Sequence, residues 1–224
     1  MRRTRTASFL VALGLGLSPA LLSACGAVPG VSAENLGSMR DAADRGEAAL
    51  GVPADLVLAI AWAETRWTAP SATEVDEHQA HGAVALGVTG IRPDLGVDPL
   101  AVIAERLSVP AADVEARLAS DPAFATLAAS AVLRALAEAR YGGAIPAADD
   151  PGAWREVLAD YVDLNGRIGA EHAEYVLDVL RRGMSGEAAT GERVLLRSRD
   201  VSPSTEIEAA LEYSGADYAS ATWS

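Results

Sequence analysis

The sequence predicts an all-α fold, and three observations support this prediction. Half of the residues are hydrophobic but only 5% are aromatic, and the predominance of Ala and Leu favours closely packed helices. Apolar residues recur at three- and four-residue spacing through most of residues 34–182. Three Asp-Pro pairs each place a capping side chain before a residue suited to a first helical turn. These pairs are Asp98-Pro99, Asp121-Pro122 and Asp150-Pro151.

We predict the central element at residues 51–67, which read GVPADLVLAIAWAETRW. Gly51 can end the preceding helix in the left-handed conformation, and Pro53 suits the first position of the next helix. The apolar positions that follow at helical spacing are Leu56, Val57, Ile60 and Ala61. The same face continues to Glu64 and Trp67, so we expect a carboxylate on the buried side of this helix.

A buried Glu64 would be suited to acid catalysis. Burial disfavours the charged form of a carboxylic acid, so that a proton stays available for a leaving group near neutral pH. In lysozyme the acidic glutamate lies in an apolar pocket against a tryptophan. The alternatives are that Glu64 turns to solvent, or that it forms a structural ion pair with Arg66 or Arg92.

The remaining helices follow from the same signals, beginning with one over residues 34–50. Further helices are predicted at Pro99–Leu107, Pro110–Leu118, Pro122–Tyr141, Pro151–Val162 and Ala170–Arg182. We assign to the core Phe124, Leu127, Ala131, Leu133, Leu136, Trp154, Leu158, Tyr175, Val176 and Val179. From Met184 the helical pattern fails, and a brief extended run is predicted at Arg193 to Leu196.

The polar, glycine-rich loop at residues 68–98 is expected to form one wall of a cleft beside the central helix. His78 and His81, flanked by Asp76 and Glu77, could be metal ligands, but no HExxH or paired-cysteine pattern accompanies them. We therefore expect imidazoles that contact water or a substrate sugar, with no metal and no cofactor. Asp76 or Glu77 could also act as a second carboxylate in a glycosidase.

The run LVLAIAWAETRW, followed after the polar loop by HGAVALGVTGIRP, resembles the catalytic-glutamate helix and Gly-rich loop of soluble lytic transglycosylases and goose-type lysozymes. It is more similar still to the lysozyme-like domain at the N-terminus of certain bacterial N-acetylmuramoyl-L-alanine amidases. The resemblance covers about residues 33–198. It implies a lysozyme-like helical domain with Glu64 as general acid, and with Tyr161 near the tyrosine of the family's YNAG-like motif.

The resemblance also implies a peptidoglycan substrate, cleaved at its MurNAc-GlcNAc bond. The residues expected to contact the glycan strand are His78, His81, Gly82, Ala83, Leu86 and Asn165. Among them, Asn165 could supply the amide donor that is missing where the family's Asn-Ala-Gly is replaced. In the similar family the tyrosine of the YNAG-like motif belongs to the catalytic site and helps to position the acid or the sugar, which implies the same role for Tyr161. Tyr161 could instead pack beside Leu158 with its hydroxyl at the rim. Where the family commonly has Gly-Ala-x-Gly-Leu-Met-Gln, residues 82–88 read GAVALGV. The alternative is therefore a non-catalytic peptidoglycan-binding module that remains from an amidase without its amidase domain, with a separate amidase as partner.

Residues 1–24 are predicted to be an export signal, because a basic start precedes an apolar run that is too short for a permanent membrane helix. The run ends in Leu22-Ser23-Ala24-Cys25, which resembles the bacterial lipobox. We expect lipidation of Cys25, the only cysteine, and attachment to the periplasmic face of an outer membrane or the outer face of the cell membrane. The alternative is ordinary cleavage beside an incidental cysteine. A lipidated Cys25 leaves no thiol for a disulfide, a metal or a nucleophile.

The net charge of −13, which becomes −16 without the three Arg of the signal, argues against nucleic acid and anionic lipid headgroups as partners. Glycan binding would then depend on sugar stacking and hydrogen bonds, and a helical surface that binds another protein is a third possibility. We divide the chain into a signal at 1–24, a lipidated tether at 25–33, a helical domain at 34–184 and an extended, linker-like tail at 185–224.

Overall fold

The computed structural model describes residues 31–68, 85–93, 95–162 and 167–202. Within these residues it contains seven α-helices and one antiparallel pair of short strands, which confirms the mostly helical class. The helices are α1 Met39–Leu50, α2 Ala54–Thr65, α3 Pro99–Arg106, α4 Ala111–Ser120, α5 Pro122–Arg140, α6 Arg155–Tyr161 and α7 Arg167–Arg182. The strands are β1 Met184–Glu187 and β2 Arg193–Leu196, and a 3-10 turn at Pro151–Trp154 leads into α6.

The predicted helix starts are confirmed at all three Asp-Pro pairs. The carboxylate of Asp98 accepts a hydrogen bond from the third following backbone N–H, at 3.0 Å, and Asp121 and Asp150 cap their helices in the same way. Gly51 ends α1 in the left-handed conformation with φ +70°, as predicted. Pro53 precedes α2 by one residue, so the fixed φ of its ring leads directly into the first turn.

Helix α2 lies at the centre of the fold and is apolar on every side. The six residues from Leu56 to Ala61 are all fully buried, because α1, α5 and α7 each pack against α2. A helix that is hydrophobic all round is typical of a protein core. The sequence predicted a single buried stripe for α2, but only Asp55 and the last turn, from Trp62 to Thr65, reach partly exposed surroundings.

Helix α5 is the longest helix and forms the second part of the core. By length and composition it could cross a membrane, but it is mostly buried inside the fold, as the core helix of a soluble domain also is. It packs closely along α1, because Gly46 of α1 lies so near Ser130 that a β-carbon there would be 2.3 Å from the Ser130 hydroxyl oxygen. A small residue at position 46 therefore sets the distance between the two helices.

The two strands pair with Met184 opposite Leu196 and Glu187 opposite Arg193. The extended run predicted at Arg193 to Leu196 is confirmed, and its partner β1 was not predicted. The hairpin packs on the helical domain, with Gly186 against the rings of Trp62 and Trp67. Residues 185–202, which the sequence assigned to a linker-like tail, therefore pack against the helices, and residues 203–224 lie outside the described part of the chain.

The side chain of Glu138 links α5 to α3 across the surface. It accepts hydrogen bonds from Arg106 at 2.5 Å and from Arg134 at 2.7 Å. Partial burial acts to raise the pKa of Glu138, but the two guanidinium groups outweigh it and hold that pKa below its usual range. A lowered pKa in the folded state means that the ionised carboxylate stabilises the fold.

We predict that Glu138→Gln lowers the free energy of unfolding at pH 7 by about 1–2 kcal/mol, because two charge-assisted hydrogen bonds become weaker. The stabilisation by ionised Glu138 is fully present above the unfolded-state pKa of about 4.3. It disappears as the pH falls through the lower pKa of the folded state. Urea unfolding at several pH values should show the two proteins converging below about pH 4.

Glu156→Gln is the matched control, because Glu156 also faces a guanidinium group but is 62% exposed and lies 3.6 Å from Arg140. We expect it to change the unfolding free energy by less than about 0.5 kcal/mol. If the difference between wild type and Glu138→Gln stayed constant from pH 7 to pH 3, ionisation of Glu138 would not be its cause.

Candidate functional site

Glu64 lies in the last turn of α2, and its side chain is only 14% exposed. Its Oε1 atom lies 2.7 Å from Nε2 of His172 on α7. Neither of the two predicted ion pairs forms within the described residues, because Arg66 instead donates to the backbone oxygen of Trp62. The polar partner of Glu64 in the described part of the chain is therefore an imidazole, which can be neutral, and not a permanently charged guanidinium.

A tight turn at residues 86–91 lies against one side of the other carboxylate oxygen. Leu86 and Ile91 exchange backbone hydrogen bonds of 2.7 and 3.0 Å, and Gly90 between them has φ +64°. A β-carbon at Gly90 would lie 2.5 Å from Oε2 of Glu64. Only glycine therefore permits this close approach of the backbone to the carboxylate. Leu86, predicted to contact the substrate, is half-buried and supports the turn through its backbone.

Tyr161 holds this turn in place through a hydrogen bond. The side chain is buried, and its hydroxyl donates a hydrogen bond of 2.9 Å to the backbone oxygen of Thr89. Burial raises the pKa of the phenol, the charge of Glu64 adds to this change, and the charge of Arg92 opposes it. The alternative that the Tyr161 hydroxyl lies at the rim is wrong, because the side chain is buried. The predicted catalytic role of Tyr161 stays a prediction. Its hydroxyl is already engaged, so it positions the turn beside Glu64.

The chain leaves α2 through two strained residues. Arg66 and Trp67 both have left-handed backbones, with φ +55° and +62°, which costs roughly 1–3 kcal/mol for each such residue. The ring of Trp67 is fully buried, and its Nε1–H donates to the oxygen of Leu58 at 2.9 Å. Strain of this kind persists where the surroundings over-determine the conformation and is common at functional sites.

Two aromatic side chains lie close to Glu64 and His172 along their helices, with Trp62 two residues before Glu64 and Tyr175 three residues after His172. The guanidinium carbon of Arg66 lies 5.2 Å from the ring centre of Trp62 and 5.8 Å from that of Tyr175. Tyr175 is 40% exposed, so its assignment to the core was wrong. The ring instead lies on the edge of α7, one turn beyond His172. A partly exposed aromatic surface beside a carboxyl group could bind the apolar face of a sugar.

His172 was missed by reasoning from the sequence. It lies on the stripe of α7 that faces the core, three residues after Gly169 and four before Val176, both of which are buried. A histidine in an apolar helix stripe is a signal for a buried polar contact, because a buried polar side chain needs a partner. The identity of that partner could not be read from local spacing, because Glu64 lies 108 residues earlier.

Unpaired buried nitrogen atoms occur in this region. Within the described residues, two buried side-chain nitrogens lack a hydrogen-bond partner: Nδ1 of His172 and Nε of Arg92, which lies two residues beyond Gly90. Unsatisfied buried polar atoms are rare in native proteins, and those that occur often belong to functional sites. Their occurrence near Glu64 therefore supports the choice of this region as the candidate site.

The other predicted site residues are not placed by the structure. His78, His81, Gly82, Ala83, Asn165 and Cys25 all lie outside the described residues. Within the described ranges, no group of three or more His, Cys, Asp or Glu is arranged to hold a metal ion. The residues that line a cavity of about 450 Å³ include Arg117, and those that line another of about 380 Å³ include Arg140. Glu64 lines neither cavity.

The fold and site together define a mostly helical domain with a carboxyl–imidazole pair at the end of its central helix. Comparison of the chain with models of known families, with characterised proteins and with solved structures finds no match.

We predict that Gly90→Ala destabilises the protein by about 1–2 kcal/mol more than Gly142→Ala. Both glycines have φ +64°, so alanine is strained at either position by about 1 kcal/mol. At Gly142 nothing lies within 4 Å of the added β-carbon, whereas at Gly90 that carbon meets the Glu64 carboxylate. Chemical denaturation measures both changes.

A second comparison tests whether Glu64 causes the additional destabilisation by Gly90→Ala. In a Glu64→Ala background the extra cost of Gly90→Ala should disappear, because the group that it meets has been removed. Equal costs at Gly90 and Gly142 in the wild-type background would show that the turn does not press against the carboxylate.

Proposed function

We propose that this protein is an exported, lipid-anchored enzyme of the cell envelope. Its helical, lysozyme-like domain cleaves the MurNAc-GlcNAc bond of peptidoglycan, as a lytic transglycosylase or a muramidase does. The observation that carries the proposal is the environment of Glu64. One oxygen of this mostly buried carboxyl group contacts an imidazole, and the other faces a glycine turn.

The chemistry requires a carboxyl group that gives a proton and later takes one back. Protonated Glu64 would donate to the oxygen of the glycosidic bond as that bond breaks and positive charge develops at the anomeric carbon. In a transglycosylase the C6 hydroxyl of the same muramic acid then attacks this carbon, and the Glu64 carboxylate accepts the hydroxyl proton. One carboxyl group is enough for this sequence of steps, since no water needs activation.

The surface next to Glu64 suits a glycan more than it suits a charged polymer. Trp62 is partly exposed and Tyr175 is exposed, and the ring centres of both lie within 6 Å of the guanidinium carbon of Arg66, at 5.2 and 5.8 Å. Their rings can stack on the C–H face of a pyranose, which needs no charge complementarity. This matters because the whole chain carries a net charge of −13, which disfavours long-range attraction of anionic partners.

A non-catalytic peptidoglycan-binding module is the second candidate, and a specific observation favours it. Gly87 stands where the similar family has a methionine that faces the substrate, but a β-carbon there would lie 2.6 Å from the backbone oxygen of Leu118. Val88, in place of the family's glutamine, is buried. The two family contacts to substrate are therefore not replaced at these positions, and a separate amidase could act on the glycan that this module binds.

We predict that the full-length chain releases muropeptides from purified peptidoglycan and that Glu64→Gln lowers the rate at least about 100-fold, because the amide cannot donate the proton. Mass spectrometry of the sugar ends identifies the reaction, since a transglycosylase leaves an anhydro end and a muramidase a reducing end. Glu171→Gln, which changes a carboxylate one residue from His172, is the matched control and should keep full activity.

Two other outcomes are informative for this experiment. Absence of release by all three proteins, together with retained binding to cell walls, would eliminate the enzyme and support the binding module. Absence of both release and binding would contradict both proposals and favour a helical surface that binds another protein.

We also predict that the protein is recovered in the membrane fraction of a bacterium that processes lipoproteins, and that Cys25→Ser releases it. Two or more acyl chains anchor a protein stably, whereas the remaining surface is acidic and has little affinity for anionic headgroups. Mass spectrometry of the mature N-terminus should show acylated Cys25. A mature wild-type protein that begins at another residue and carries no acyl chain would contradict the predicted lipidation of Cys25.

A further inference from the structure

We infer that His172 is the positioning residue of Glu64, and that its Nε2–H group donates a hydrogen bond to Oε1 and leaves Oε2 as the oxygen that exchanges the proton. The consequence for the reaction rests on the proposed function. The hydrogen bond itself does not, because it can be observed in the protein without substrate.

The geometry of the pair is set by two packed helices. Helices α2 and α7 lie in direct contact, and the distance from Nε2 to Oε1 is 2.7 Å. Both side chains are mostly buried, with exposed fractions of 20% for His172 and 14% for Glu64. Water competes weakly for such a bond, and neither residue lies on a free loop, so the orientation of the carboxyl group is fixed before substrate binds.

The surroundings of the imidazole select one form of the ring. Nδ1 of His172 is buried and has no partner among the described residues. A protonated imidazole would place an N–H group there without an acceptor, and a charged donor that is buried and unpaired is costly. The neutral form with its hydrogen on Nε2 leaves only an unused acceptor at Nδ1. This form provides one donor, directed at Glu64.

A neutral donor suits a group that must change its protonation state. An arginine at the same place would hold Glu64 as a carboxylate, because its charge is permanent. The neutral imidazole allows a proton on Oε2, the atom that faces Gly90. As that proton passes to the leaving oxygen, negative charge grows on the carboxyl group and the bond from Nε2–H becomes stronger. His172 therefore stabilises the transition state more than the bound substrate.

Three substitutions of His172 separate this role from simple packing. The amide nitrogen of Gln can reach the place of Nε2 and donate in the same direction, whereas that of Asn is one carbon shorter and cannot. Met fills a similar volume without a donor. We expect His172→Gln to keep kcat within about threefold of wild type. His172→Asn and His172→Met should lower kcat roughly 10- to 100-fold with little change in KM.

The tautomer is measured without any substrate. Nitrogen-15 NMR of the full chain shows which nitrogen of each imidazole carries the hydrogen, and the signal absent from His172→Gln identifies His172 among the three histidines. We expect hydrogen on Nε2 at neutral pH and a shift of this signal in Glu64→Gln. Hydrogen on Nδ1 alone, or on both nitrogens, would overturn the inference.

The kcat values of the His172 variants test the inference independently of the NMR measurement. Wild-type kcat in His172→Met would also overturn the inference about His172. So would a kcat of His172→Gln as low as that of His172→Met, provided that both variants unfold at the wild-type temperature. If the wild-type protein does not release muropeptides, the proposed function fails. The NMR result then still decides whether His172 donates to Glu64, so the two failures can be distinguished.

Discussion

The burial of helix α2 on all sides is the constraint on which the rest of the structure depends. Six consecutive side chains of this helix are removed from water, and fully burying one such aliphatic side chain is worth about 1.5–3 kcal/mol. Helices α1, α5 and α7 have to surround α2 to achieve this. The last turn of α2 then emerges at the boundary between core and solvent, so Glu64 is shielded from water but not enclosed in the core.

Three separate parts of the chain hold Glu64 at that boundary. Helix α7 provides His172, the turn at residues 86–91 brings Gly90 against the carboxylate, and α6 fixes the turn through Tyr161. The left-handed backbones of Arg66 and Trp67 oppose folding locally. The buried Trp67 ring and its hydrogen bond to Leu58 offset this strain. A site that is held from several directions is pre-organised, which is what proton transfer to a bound substrate requires.

Local signals predicted the helices well, because capping and periodicity act within a few residues. The Asp-Pro pairs placed three helix starts and Gly51 placed the end of α1. The apolar run of α2 brought Glu64 to a buried face. The contacts of His172, Tyr161 and Tyr175 depend on how α6 and α7 are rotated against α2. The contact of Tyr161 with Thr89 spans 72 residues and that of His172 with Glu64 spans 108, and short-range spacing does not contain such contacts. For the same reason, Arg193 to Leu196 was predicted to be extended but its partner strand was not.

The central claim is that a glycan binds beside Glu64. Titration of the isotope-labelled chain with soluble peptidoglycan fragments, followed by backbone amide NMR, tests this most directly. We expect the largest chemical-shift changes at the backbone amides of Gly90, His172 and Tyr175. Shifts concentrated around Arg117 or Arg140, the residues that line the two cavities, or no shifts at saturating fragment, would contradict it.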